Sequence, residues 1–247
     1  MIAFQFLTII PLPLRLRYEQ DDLGRSTAWF PLVGLLIGGL LVLADITFTS
    51  LFPRHLTDAL LISLLAIVTG ALHLDGLADV CDGLAARGSK ERFLAIMKDS
   101  RVGAVGVVGL VLGLLLKYSA LLAIPIYLKR PALLIFPALA RFCQLILLYN
   151  SRSARSDGLG AAVAGGMRSV HLLLAAASVL PMAWFGLKLA GLAALIAIII
   201  WGLLVRLWFT RKLGGITGDI VGFASETAEI IVLLLITATT VLMMRLP

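Results

Sequence analysis

Residues 189–209 read LAGLAALIAIIIWGLLVRLWF, an apolar run in which Arg206 is the single charge. A helix needs about 20 mostly apolar residues to cross the hydrocarbon core of a bilayer, where every backbone polar group must bond within its own segment. This stretch meets that requirement, and runs of the same kind recur on either side of it. Setting apolar runs against the polar stretches between them places spans near 28–52, 57–74, 102–125, 131–149, 170–186, 189–209 and 227–245. The expected fold is all-α, a multi-pass transmembrane helical bundle of about seven spans. It is treated as a single domain over 1–247, because no repeat, linker or low-complexity tract interrupts it.

Composition excludes a soluble domain: the 247 residues are 60% hydrophobic and 14% charged, with a mean hydropathy of +1.04. Lipid is the expected solvent. The net charge of +7 does not point to nucleic acid, because the basic residues stand singly in loops between apolar runs. Cys81 and Cys143 lack metal-ligand spacing and read as buried thiols. The opening MIAFQFLTIIPLPL has no basic start and contains Pro11 and Pro13, so it reads as an interfacial or re-entrant segment rather than a signal peptide.

An odd number of spans puts the N-terminus and the stretches 73–101, 150–169 and 210–226 on one side of the membrane. Most loop Lys and Arg residues, from Arg15 to Lys212, fall there, against Arg54, Lys129, Arg130, Lys188 and Arg245 on the other. The positive-inside tendency makes the long-loop side cytoplasmic, and the protein an integral component of the cytoplasmic (inner) membrane with its active face inward.

Two polar stretches on that side carry chemistry. In HLDGLADVCDG, 73–83, the carboxylates of Asp75, Asp79 and Asp82 recur at i, i+4 and i+7, one stripe of a helix. Each ionised group near membrane depth costs on the order of 3 kcal/mol, so the stripe calls for a cation. Hard oxygen ligands suit Mg²⁺, whose shell substrate phosphates commonly complete, making Asp75, Asp79 and Asp82 candidate metal ligands. Gly76 and Gly83 run alongside, where missing side chains would let a phosphate approach the backbone. The rival reading is a solvated acidic helix end, paired with Arg87 or Arg101.

The second stretch, RKLGGITGDIVGFASETAE, sets Asp219, Gly222, Glu226 and Glu229 on one face of a helix that begins near Gly218. Asp219 is a further metal candidate and Glu226 a candidate base. A helix N-terminus stabilised by acidic residues is the rival there. Between the two, Asp99 offers a ligand or base, and Lys98 and Arg101 offer positive charge to phosphate. Arg141 lies inside a span and needs a partner, either substrate phosphate or an acidic residue. Asn150, Arg152 and Arg155 lead into a loop with two readings, a substrate contact or ordinary positive-inside charge on the arginines. His73 reads as a hydrogen-bonded structural group.

The motifs HLDGLADVCDG (73–83), MKDSRVGAVG (97–106) and LGGITGD (213–219), with FLTIIPLP (6–13) and WFPLVG (29–34), resemble the cobalamin synthase family across nearly the whole chain. The resemblance implies a Mg²⁺-dependent membrane transferase that joins adenosylcobinamide-GDP to α-ribazole, or its 5′-phosphate, and releases GMP. Asp79, Asp82, Gly83, Ala86 and Arg87 also resemble the opening of the CDP-alcohol phosphotransferase signature, but Ile96 stands where that signature continues with glycine.

Combined, these readings predict that Asp75, Asp79 and Asp82, helped by Asp99 or Asp219, hold the metal against the substrate diphosphate. Gly76, Gly83, Arg87, Arg141 and Asn150 are expected to contact substrate. Asp99, Glu226 and Arg101 are the candidates for proton transfer and charge stabilisation. Homo-oligomerisation is left open. Two other classes compete: an aromatic prenyltransferase or CDP-alcohol phosphotransferase, either of which also uses Mg²⁺-diphosphate, and a non-enzymatic divalent-cation channel or transporter. The latter has no need of glycines and arginines gathered on one face.

Overall fold

The computed structural model of the chain describes residues 1–12, 21–86, 88–155, 163 and 166–245. It is a bundle of helices, and the described residues contain no strand beyond one isolated bridge, Ser153 with Ile216. In chain order the helices are α1 (Ile2–Leu7), α2 (Asp22–Ser26) running through a 3-10 turn into α3 (Phe30–Thr49), α4 (Arg54–Val68), α5 (Leu72–Ala85) and α6 (Lys90–Ile96). There follow α7 (Ala104–Ala123), α8 (Ile126–Leu148), α9 (Ser169–Leu213) and α10 (Gly218–Arg245).

Five of these are long and apolar enough to cross a membrane: the α2–α3 unit, α7, α8, α9 and α10. Counted as one bent pair, α4 and α5, which meet at 90°, make a sixth candidate. The bend lies at Gly70 and Ala71, both at positive φ (60° and 55°). The expected span at 57–74 therefore stops at Val68, and the acidic motif begins a new helix in a different direction.

A seventh crossing is hidden inside α9. Its 45 residues would reach about 67 Å as one straight helix, against a hydrocarbon core of about 30 Å. Lys188 breaks it, with φ 51° and ψ −128°. A Cβ on Gly191 would strike the carbonyl of Ala183, an atom a straight helix would hold about 12 Å away. The chain turns back at Lys188, and the boundary expected between 186 and 189 falls at that reversal.

Lipid supplies no hydrophobic drive between helices, so close packing of small residues carries the association. Helix α8 is the most enclosed of the spans and packs against α3, α9 and α10. Gly34 and Gly38, a GxxxG pair, let α3 lie directly on its backbone: a Cβ on Gly34 would come within 2.6 Å of Ala138 Cα. Helix α10 lies against α5, α7, α8 and α9. The acidic helix is thereby wedged between two spans.

Candidate functional site

The three polar stretches on one side of the sequence map meet in space. Ile216 donates its N–H to Arg152 O at 2.8 Å and accepts from Ala154 N at 3.0 Å, tying 150–155 to the turn before α10. Arg155 Nη1 pairs with Asp219 at 3.1 Å, and its Nη2 reaches Leu94 O on α6 at 3.4 Å. Helix α10 begins at Gly218, so Asp219 sits in its first turn beside α5.

Helix α5 carries the acidic stripe along one flank, as its spacing requires. Asp79 lies within electrostatic reach of Asp75, Asp219, Asp82 and Arg155. Asp75 and Asp219 line a cavity of about 110 Å³, with Phe6, Phe30, Leu72, His73, Gln144, Leu148, Val221 and Gly222 among its other walls. Neither Asp75 nor Asp79 forms an ion pair among the described residues, so these are the carboxylates available to a cation. No cluster of three or more His, Cys, Asp or Glu side chains among the described residues would enclose an ion unaided.

Asp82, on the same flank two turns along from Asp75, has partners of its own. Its two oxygens accept from Gly103 N and Gly106 N, each at 2.7 Å, at the N-terminus of α7. Unpaired N–H groups and the helix dipole favour a carboxylate there. Asp82 also borders a second, open groove of about 560 Å³ with Ile96, Asp99 and Arg101. Arg101 holds Asp99 at 2.8 Å, and that guanidinium pushes the Asp99 carboxyl down to about 2. Such a group is a weak base near neutral pH.

The glycines expected to admit phosphate are filled by protein. A Cβ on Gly76 would lie 2.5 Å from Asp219 O, because this is where α5 crosses α10. At Gly83 it would lie 2.8 Å from the Phe93 ring, which docks α6 on α5. Asn150 stands just past α8 at φ 53°, the left-handed position that ends many helices, and its role there is to turn the chain. Arg87 and 156–162 lie outside the described residues.

Glu226 and Arg141 are not at the acidic cavity; they belong to a buried ion network in the bundle. Lys117 Nζ binds Glu226 at 2.5 Å and also Glu229, while Arg141 Nη1 donates to Glu229 at 2.7 Å and Ser225 Oγ at 3.0 Å. Two cations balance two anions, which is what ionised groups in lipid require. Gln144 links Ser225 to His73, at 2.9 and 2.8 Å. On the opposite face a second cluster joins α3, α4 and α8. Arg54 binds Asp45 at 2.6 Å and also Asp58, Lys129 binds Asp58 at 3.0 Å, and Arg130 binds Asp45 at 3.1 Å. Lys117, Asp45 and Asp58 went unread in the sequence, although each is an ionisable residue inside an apolar run, the same signal that picked out Arg141.

Fold and site together define a polytopic helical membrane protein with a carboxylate-lined cavity at one end of the bundle. A model of the cobalamin-5-phosphate synthase family matches residues 1–237, and the chain belongs to that family. It is 53% identical over 237 residues to the adenosylcobinamide-GDP ribazoletransferase of Geotalea daltonii, covering 96% of each chain. To the enzyme of that name in Caldanaerobacter subterraneus subsp. tengcongensis it is 35% identical over 235 residues, 94% of each chain. To that of Clostridium botulinum strain Okra it is 33% identical over 237 residues, 96% of each. The chain is thus a transferase. No solved structure matches it.

Proposed function

We propose that this enzyme joins adenosylcobinamide-GDP to α-ribazole, or its 5′-phosphate, in a Mg²⁺-dependent reaction that releases GMP on the cytoplasmic side of the inner membrane. The observation that carries the reading is the meeting of Asp75, Asp79 and Asp219 beside Arg155, in a chain of this family.

The donor set fits the metal. Mg²⁺ characteristically takes one or two carboxylates and leaves the rest of its shell to water and phosphate, and Asp75 and Asp79 are two carboxylates without an ion pair among the described residues. When bound there, Mg²⁺ would neutralise diphosphate charge and ease the departure of GMP. Asp219, paired with Arg155, ties the start of α10 to the 150–155 stretch and lines the cavity. Arg101 stands 87% exposed at the open groove and offers its guanidinium to phosphate oxygens, with Asp99 orienting it. A ribazole hydroxyl oxygen attacks the phosphorus bonded to cobinamide in line, and the bond from that phosphorus to GMP breaks. GMP leaves with the bridging oxygen and its electron pair, and the hydroxyl proton passes to water or a carboxylate.

The test is GMP release by purified protein in lipid, with and without α-ribazole, across a Mg²⁺ titration. Wild type is expected to release GMP only with both present, and Asp79→Asn to lose most turnover at unchanged thermal stability. Near-normal turnover of Asp79→Asn at low Mg²⁺ overturns the metal assignment; no ribazole-dependent release by wild type overturns the reaction.

A further inference from the structure

The cavity between α1, α3, α5, α8 and α10 has a wall of two characters. Asp75, Gly218 and Asp219 make part of it polar, while Phe6, Phe30, Leu72, Leu148 and Val221 make the larger part apolar. The rings of Phe6 and Phe30 stack at 5.8 Å and 20°. At about 110 Å³ the space is smaller than an apolar cavity of about 150 Å³ that holds benzene, room for one ring of a flat group. It suits a flat aromatic group and excludes a corrin or a nucleoside diphosphate.

Two buried polar side chains complete the wall. His73 is 3% exposed and Gln144 fully buried, and both line the cavity. With the Gln144 amide donating to His73 Nε2 at 2.8 Å, the imidazole proton sits on Nδ1. That Nδ1 and Gln144 Oε1 have no hydrogen-bond partner among the described residues, an arrangement costing about 1–3 kcal/mol per buried group when nothing answers it.

We propose that this cavity is the subsite for the aromatic base of the acceptor nucleoside. The inference rests on the reaction proposed above and names where one of its two substrates sits. A fused-ring base matches this wall edge first: its leading ring enters among Phe6, Phe30, Leu148 and Val221, and the ribose leads out past Asp75 and Asp219. Guanine, with an amino group, a ring N–H and a carbonyl along its edges, would leave several polar groups unpaired against those side chains. The corrin and diphosphate of the other substrate then belong outside this cavity, past the carboxylates of Asp75 and Asp79 that the reading above gives to Mg²⁺.

Filling the cavity separates this from a merely structural role for its wall. Val221→Phe adds a ring where the base would lie. It is expected to raise KM for α-ribazole about tenfold or more, the equivalent of roughly 1.4 kcal/mol, and to weaken calorimetric α-ribazole binding by a similar factor without the donor present. KM for adenosylcobinamide-GDP should change less than about threefold, since that substrate is bound elsewhere. A second measurement covers the case in which Val221→Phe does not fold. Leu148→Cys, with Cys81→Ser and Cys143→Ala to remove background, should react with a small thiol reagent and be protected by α-ribazole but not by GMP. Equal rises in both KM values, or an α-ribazole KM unchanged in a folded Val221→Phe, overturn the subsite, as does protection by GMP alone. Loss of ribazole-dependent GMP release in wild type would instead strike the reaction itself.

Discussion

At Asp82, a carboxylate that helical spacing groups with Asp75 and Asp79 is turned to a task of its own. Both oxygens are engaged by backbone N–H groups at the start of α7. Asparagine keeps one oxygen and would set an NH₂ against the other donor, so Asp82→Asn should cost about 1–3 kcal/mol and lower Tm. Asp79→Asn should leave Tm alone, because no ion pair among the described residues is lost. Thermal melts of the two variants in one detergent check the contrast, and equal Tm values would place both residues in the same role. Lys117 gives a second residue-scale prediction. Its removal in Lys117→Met leaves Glu226 and Glu229 with Arg141 as the one remaining cation of the network. Breaking a buried pair costs about 3–5 kcal/mol, so folded yield in the membrane should fall sharply. Adding Glu226→Gln restores the charge balance and should recover much of it, read by size-exclusion chromatography of the double variant.

Among the elements, α9 shows how a single charge in an apolar run marks a reversal. Nothing in its composition marks Lys188 as a turn except that it is charged, and a lysine is a poor choice for φ 51°. Lys188→Gly should raise stability by roughly 1 kcal/mol, since glycine takes that conformation freely. Gly191→Leu should do the opposite and part the two arms, because its side chain would occupy the place of the Ala183 carbonyl. Opposite signs in a melting comparison are the check; a rise for both would mean the arms are not tightly paired. The break at Gly70 and Ala71 matters in another way: it swings α5 by 90° out of line with α4 and lays its acidic flank against the start of α10.

On the scale of the whole molecule, the ion clusters divide the bundle into two ends. Asp45, Arg54, Asp58, Lys129 and Arg130 tie α3, α4 and α8 together at one. Arg155, Asp219 and the acidic helix gather at the other. Cysteines placed at Glu91 and Lys212 should therefore react with an impermeant thiol reagent from one side of the membrane, and one at Ser50 from the other. With the orientation proposed above, the first two label only in inverted vesicles. Labelling of Glu91 and Lys212 positions from opposite sides would separate the loops that the active face requires to be together.

How much of this was legible from residues alone follows from the physics of each signal. Crossing a bilayer is a property of a segment by itself, set by its length and the need to satisfy its own backbone. The apolar runs, the reversal near 188 and the grouping of Asp75, Asp79 and Asp82 on one helix could all be read without knowing any neighbour. Family resemblance likewise follows from the residues of the motifs. Which side chains meet is a property of pairs of helices. Periodicity gives the angle of a residue about its own axis but not the element that faces it. Tertiary structure alone decided that Asp82 caps α7 while Asp75 and Asp219 share a cavity, and that Gly76 and Gly83 receive a helix and a phenyl ring. It also decided that Glu226 and Arg141 belong with Lys117 and Glu229, because in lipid a buried charge takes whichever partner the packing of the spans brings within reach.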